Sequence, residues 1–360
     1  MPSVPPGGLI LVIGANGYIA SVTIQVLLEH GYRVRGTVRA GETYKWMLEY
    51  YGPKFQLVEV PDINDCGAFD EALKDVDGIA QMAMNMALDP YDLTVIDKTI
   101  KSTISILQAA AREPSVKSVV WTSSMSACNQ QAPGTPYEIN LRTVNTWAIE
   151  EAKKPWNGEG HPTARGILLY AAAKACAEQA AWNWMKTQNP QFRLNVVFPD
   201  ANWGTAVSPE NMGYKSTAAL IESLDKGLSV APAILPARWF VNVEDTSLIH
   251  MAALTMDEIE NDRLFAAAGP YSWTEILEIL HRRYPQRKSV LQSVDETDFD
   301  CGKIDTTRTV EILKKLGKDG FTSLEDTIVK AMDKIIECES ENVPKSWVDL
   351  LLESVLKRRD

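Results

Sequence analysis

A chain of 360 residues, 45% hydrophobic and 23% charged, is long enough for one large domain or two unequal ones sharing a cleft. Its net charge of −11 argues against nucleic acid or an anionic membrane as the main partner, because both need a basic surface. Cys66, Cys128, Cys176, Cys301 and Cys338 are scattered without close pairs, and the four histidines show no metal-ligand spacing, so a disulfide framework and metal chemistry are both disfavoured. Residues 1–8 carry no positive n-region, and no stretch approaches the roughly 20 apolar residues of a membrane span, so a cytoplasmic protein is expected.

In chain order, the apolar run 9–13 reads as a buried strand, and residues 22–28, closed by Gly31, have helical spacing. Strand 33–38, helix 43–51, strand 55–60, helix 68–74, strand 78–82, helix 91–112 and strand 118–121 follow. An alanine-rich helix over 169–187 and a strand over 194–198 close the series. That alternation predicts an α/β fold, a doubly wound parallel sheet with right-handed crossovers. Part of 142–165, with Pro155, Gly158, Gly160 and Pro162, reads as a loop. After Pro199 the pattern loosens into shorter helices such as 217–225 and 273–283. From Ser346 a last helix puts Trp347, Leu350, Leu351 and Val355 on one face, for docking on its own subunit or on another. There are no internal repeats.

Two motifs carry chemistry. Gly14-Ala15-Asn16-Gly17-Tyr18-Ile19-Ala20 sits between the first strand and helix, the context of a dinucleotide cradle. Gly14 permits the tight turn, Gly17 lets backbone approach a pyrophosphate, and Ala20 allows close helix packing. Tyr170 and Lys174, four residues apart, share one helix face. A phenol has an ordinary pKa of about 10, and a neighbouring ammonium is expected to lower it, which makes the pair a general acid-base unit. At the end of the second strand stands Arg39, with no acid over 34–41, which favours NADP (NADPH) over NAD. Lys45 adds charge there or is solvated.

These motifs resemble the extended branch of the short-chain dehydrogenase/reductase superfamily, specifically its dihydroflavonol-reductase-like group, which includes fungal and yeast carbonyl and aldehyde reductases. The resemblance runs from about residue 8 to about 336. It also rests on Glu29-His30-Gly31-Tyr32-Arg33-Val34-Arg35-Gly36-Thr37-Val38-Arg39, on Val119-Val120-Trp121-Thr122-Ser123-Ser124 and on Phe240-Val241-Asn242-Val243-Glu244-Asp245.

The resemblance implies a Rossmann-type domain over 1–200 bearing the catalytic residues, to which some later segments return. A smaller C-terminal substrate-binding lobe over 201–340 and a helical extension over 341–360 would complete the chain. It implies hydride delivery from NADPH to an aldehyde or ketone, with the oxygen held by Ser124 and protonated by Tyr170. Ser123 is the alternative to Ser124. Lys174 would hold the nicotinamide ribose. Asn16, Tyr18 and Ile19 of the cradle would contact the cofactor, as would Met82, Ala83 and Pro199. Asp62-Ile63 would meet the adenine, unless Asp62 is a plain strand-end residue. Met82 and Met84 line a wall or pack in the core.

Met125, Asn129, Asn202, Trp203, Leu220, Arg238 and Trp239 are the candidate substrate contacts. Asn129 matches an asparagine that dihydroflavonol reductases carry five positions after the serine. Trp203 and Trp239 suit an aromatic or bulky ketone, or else fill a lobe interface. Ile13 and Gln81-Met82-Ala83-Met84 depart from the family pattern without removing a catalytic group. Dehydratases of the same fold place Asp-Glu after the catalytic Thr or Ser, where this chain has Met125-Ser126. An NAD(P)-dependent epimerase and a non-catalytic NADP-binding redox sensor are the competing readings. The family forms monomers and homodimers.

Overall fold

Short apolar runs can be covered on both faces only inside a parallel sheet, and the five-residue segments 9–13 and 118–122 are buried along their whole length. A computed structural model describes residues 3–65, 67–84, 88–128, 136–139, 144, 146–156, 158, 162–296 and 302–357, the last four as backbone only. The first half runs β1 (Leu9–Ile13), α1 (Tyr18–Glu29), β2 (Arg33–Val38), α2 (Trp46–Tyr51), β3 (Phe55–Glu59), β4 (Gly78–Gln81), α3 (Thr94–Arg112), β5 (Ser118–Thr122), β6 (Tyr137–Glu138), α4 (Trp147–Lys153), α5 (Pro162–Gln188) and β7 (Arg193–Pro199). Then come β8 (Ala201–Trp203), α6 (Pro209–Met212), α7 (Ala218–Asp225), α8 (Ala231–Ile234), β9 (Trp239–Asn242), α9 (Val243–Thr255), β10 (Arg263–Ala266) and β11 (Gly269–Pro270). The chain closes with α10 (Trp273–Arg283), β12 (Gly302–Lys303), α11 (Thr307–Lys315), α12 (Leu324–Glu337) and α13 (Trp347–Lys357).

The main sheet has seven parallel strands in the order β10-β7-β5-β4-β1-β2-β3. Strand order reverses between β1 and β4, the place where doubly wound sheets open a crevice for a ligand. Register aligns Ile13, Thr37, Gln81, Trp121 and Val196 in one row, so the segments that follow these strands emerge along one edge. On one face, α5 buries Ala171, Ala172, Ala173, Ala175, Ala177 and Ala181, whose small side chains let it lie close to α3 and the sheet. On the other, α9 packs on α1, where Thr23 Oγ1 donates to Ser247 Oγ at 3.0 Å. A three-stranded sheet, β11-β9-β8, sits with α7, α10 and α12 beyond the strand ends.

Three local expectations are corrected. Residues 68–74 form successive turns, although Phe69, Ala72 and Leu73 are buried as a helix face would be; the left-handed Asp75 (φ 59°) ends the segment. The active-site helix begins at Pro162, which serves as a helix start, so part of the expected loop over 142–165 is α4 and the first turn of α5. The series of sheet strands does not end with β7: β10, only four residues long, adds an edge strand. Its Arg263 forms a buried ion pair with Glu178 of α5 at 2.7 Å.

Candidate active site

The turn after β1 is held by the neighbouring strand: Gly14 N donates to Thr37 Oγ1 at 3.3 Å and Ala15 N to Thr37 O at 2.9 Å. Gly14 has φ +82°, and a Cβ there would lie 3.0 Å from Ala83 Cβ, so this strand end accepts only glycine without strain. Gly17 is the N-cap of α1; the helix has no side-chain cap and no acid in its first turn. An uncapped helix start directed at a glycine turn is a ready anion site. Tyr18 is buried and donates its hydroxyl to Gly204 O at 3.0 Å, tying the cradle to the segment after β8. Arg39 is exposed after β2 and makes no ion pair among the described residues. Lys45 is paired with Glu42 at 2.6 Å on the surface. Asp62, exposed after β3, accepts from the Asn64 amide at 2.8 Å, which holds its carboxyl below the ordinary range; Ile63 beside it is partly buried. Met82 N donates to Ile13 O at 3.3 Å, and Met82 and Ala83 form the partly buried wall beside Gly14.

The Ser124 hydroxyl lies close enough to Tyr170 to favour its ionised form. Ser124 follows β5 and caps a single 3-10 turn, its Oγ accepting from Ser126 N at 3.2 Å. Ser123 points its hydroxyl inward, where it has no partner among the described residues. Lys174 is buried; its Nζ donates to Thr122 O at 2.6 Å and lies 5.0 Å from the Trp121 ring and 5.9 Å from that of Tyr170. Burial without a carboxylate partner among the described residues pushes Lys174 down to about 7. The expectation that this ammonium lowers the Tyr170 pKa is therefore corrected. Burial holds the phenol above its ordinary value, Asp200 adds to that, and the Ser124 hydroxyl and the Arg238 charge oppose it.

Behind Lys174 runs a chain of buried hydrogen bonds that the sequence did not disclose. Thr122 Oγ1 lies 2.8 Å from His250 Nε2, and His250 Nδ1 lies 2.8 Å from Thr246 O. A carbonyl can only accept, so Nδ1 carries the proton and Nε2 accepts from Thr122. Burial pushes His250 down to about 4 and keeps it neutral. Thr246 Oγ1 in turn donates to Asn202 Oδ1 at 2.6 Å. Only the i, i+4 register of α9, laid under β5, brings these groups together.

The candidate substrate residues separate into groups. A small cleft at Tyr170 is lined by Leu88, Asp89, Asp92, Val95, Gly166 and Leu169, none of which the sequence pattern singled out. The available signal was Gly166, one helical turn before Tyr170: a Cβ there would meet Leu88 O at 2.1 Å. Met125, Trp203 and Leu220 are enclosed in the core, and Trp203 packs edge-on against Tyr271 at 4.6 Å and Trp273 at 5.5 Å. Asn202 is buried, its Nδ2 donating to Asp200 O at 2.8 Å. Trp239 is partly buried, and Arg238 is paired with Asp200 at 3.0 Å. Asn129 lies outside the described residues. Pro199 ends β7 in the buried centre of the sheet edge. Among the described residues no cluster of three or more His, Cys, Asp or Glu could hold a metal, and no helix is long and apolar enough to cross a membrane.

Residues 10–268 match the model of the NAD dependent epimerase/dehydratase family. The chain belongs to that family, the extended branch of the short-chain dehydrogenase/reductases. It is 36% identical over 334 residues to ketoreductase adrE of Penicillium rubens, covering 89% of this chain and 95% of that one. It is 34% identical over 330 residues to aldehyde reductase 2 of Sporidiobolus salmonicolor, covering 90% and 95%. On this basis the family member described here is an oxidoreductase. Its fold matches that of yeast methylglyoxal/isovaleraldehyde reductase Gre2 with a TM-score of 0.76 at 23% identity, covering 92% of this chain and 99% of the other.

Proposed function

We propose that the protein is an NADPH-dependent reductase that converts an aldehyde or ketone to an alcohol, with Tyr170 as the general acid. The observation that carries this reading is the meeting of Ser124, Tyr170 and buried Lys174 at the sheet edge that also holds the Gly14 cradle. The cradle suits a dinucleotide: Gly14 turns the chain at φ +82° in close contact with Ala83, and the uncapped start of α1 suits a pyrophosphate. Arg39 would hold the ribose 2′-phosphate. Asn16, Tyr18, Ile19, Asp62, Ile63, Met82, Ala83 and Pro199 remain the other cofactor contacts in this reading, Tyr18 through its backbone because its side chain faces Gly204. When bound, the nicotinamide supplies the hydride.

The chain's own residues orient the carbonyl and move the proton. The Ser124 hydroxyl donates to the substrate oxygen, and the phenol of Tyr170 donates its proton as charge develops there. A phenol held above its ordinary pKa is fully protonated at neutral pH, the form a reductase needs. Lys174 binds the ribose hydroxyls, and Thr122 fixes its position. Leu88, Val95 and Leu169 give the cleft beside the phenol an apolar side, and Asp89 and Asp92 give it an acidic one. Names of the relatives, an aldehyde reductase and a ketoreductase, support the same reaction class.

NADPH absorbance should fall with members of a panel of aldehydes, β-ketoesters and aryl ketones, and Tyr170→Phe should lower kcat by about 10²- to 10⁴-fold while NADPH still binds. Near-normal turnover by Tyr170→Phe would remove the proposed acid. Binding of NADPH without turnover of any panel member would favour the sensor.

A further inference from the structure

One ion pair beside Tyr170 has no task in the mechanism above. Arg238, immediately before β9, places its Nε 3.0 Å from Asp200 Oδ1, and its Nη1 donates to Ser126 Oγ at 3.3 Å. The two side chains are only 14% and 7% exposed. Asp200 follows Pro199 at the end of β7, and its amide donates to Ala266 O at 3.3 Å. Ser126 belongs to the turn that Ser124 caps. A cation from the lobe, a carboxylate from the sheet and the turn that begins at Ser124 thus meet at one point. Arg238 is poorly placed to recruit an anionic substrate, because Asp200 already meets its charge. A covered pair of this kind is also a weak source of stability, since desolvation offsets the attraction.

We propose that the Arg238–Asp200 pair is a positioning device for catalysis, pinning the Ser124–Ser126 turn to the end of β7 and setting the electric field at Tyr170. The inference rests on the reading of Tyr170 as the proton donor. The two charges act on the phenol with opposite sign, Arg238 favouring the ionised form and Asp200 opposing it. The other charged groups facing Tyr170 are Lys174, one turn along α5, and Asp89 and Asp92 across the cleft. These stay constant in the variants below.

The test is the pH profile of kcat, with saturating NADPH and one carbonyl substrate, for Arg238→Gln, Asp200→Asn and the double variant. Arg238→Gln is expected to move the Tyr170 limb to higher pH and Asp200→Asn to move it lower, each by about 0.5 unit or more. The double variant returns the limb toward its parental position with kcat still reduced. Loss of kcat without shifts, or shifts of the same sign, would overturn the proposal, because a merely structural pair moves no limb in opposite directions. Arg238→Lys guards against misfolding of the other variants: it keeps the cation but not the fork, so kcat should fall while the limb stays. A limb that moves as far with lysine as with glutamine would also overturn it. Tyr170→Phe, run in parallel, separates the two ideas. Turnover by that variant rejects the acid itself, whereas an inert Tyr170→Phe combined with unshifted profiles rejects only the ion pair.

Discussion

At the ends of β1 and β2 the cleft is built from backbone, a glycine turn, an uncapped helix start and the exposed Arg39. At the ends of β5 and β7 it is built from buried side chains that hold one another: Lys174 on Thr122, Thr122 on His250, and Arg238 on Asp200. Arg39 apart, the first region offers only groups that every residue has, so its chemistry depends on local conformation. The second depends on charges and protons kept from water, whose properties change with each neighbour. Substitutions in the first should therefore act singly and be legible in affinity, while those in the second should be coupled and legible in pH dependence.

The largest expected effect that would break this contrast is at the exposed end. Arg39→Asp should weaken NADPH relative to NADH by about tenfold to a hundredfold, the cost of one charge-assisted contact, without altering the pH profile. An unchanged cofactor ratio in parallel titrations would place the 2′-phosphate elsewhere. Across the cleft, Gly166→Ala should raise KM for the carbonyl about tenfold through displacement of the Leu88 segment, with KM for NADPH unchanged. Steady-state kinetics with both substrates varied would show whether the two halves are as separate as the geometry implies.

Two effects on stability sharpen the comparison. Trp203→Phe should cost about 1–2 kcal/mol in denaturant unfolding and leave carbonyl KM unchanged, because the ring is core and not wall. A changed substrate preference would return Trp203 to the pocket. Lys174→Met should abolish turnover yet stabilise the fold by about 0.5–2 kcal/mol at neutral pH, since it removes a buried ammonium that no carboxylate among the described residues offsets. The sign follows from linkage: with Lys174 lowered from 10.5 to about 7, the unfolded chain binds the extra proton between those values, so stability rises with pH across that window. His250, lowered from 6.5 to about 4, acts the same way at acid pH, and stability should fall as pH drops through that range. Melting curves of the parent and Lys174→Met across pH 5 to 9 would test the linkage, since the alkaline gain should vanish in the variant (about neutral pH onward).

The sheet was legible because burial on both faces leaves its mark in consecutive residues: 9–13 and 33–38 are strands with the bounds their apolar and branched runs imply. Gly14, Ser124, Tyr170 and Lys174 were legible because short motifs state their own spacing. The turns over 68–74 were not, since a buried apolar stripe at helical spacing looks the same whether or not backbone hydrogen bonds continue it. Strand β10 escaped because four residues are too few to show a period. Leu88, Asp200 and His250 gave no signal of function, and Gly166 gave only that of a glycine inside a helix.

The sequence by itself determined the layer order, the family and the groups proposed to hold a dinucleotide and pass a proton, all of which depend on residues close together in the chain. Only the tertiary structure decided which tryptophans are core, where the Lys174 ammonium lies, how its charge is tuned and what faces Tyr170 across the cleft. Those properties arise from burial and from partners tens to hundreds of positions away, such as Thr122 with His250 and Asp200 with Arg238. Desolvation and Coulomb interaction depend on distance in space, and local sequence does not encode that distance.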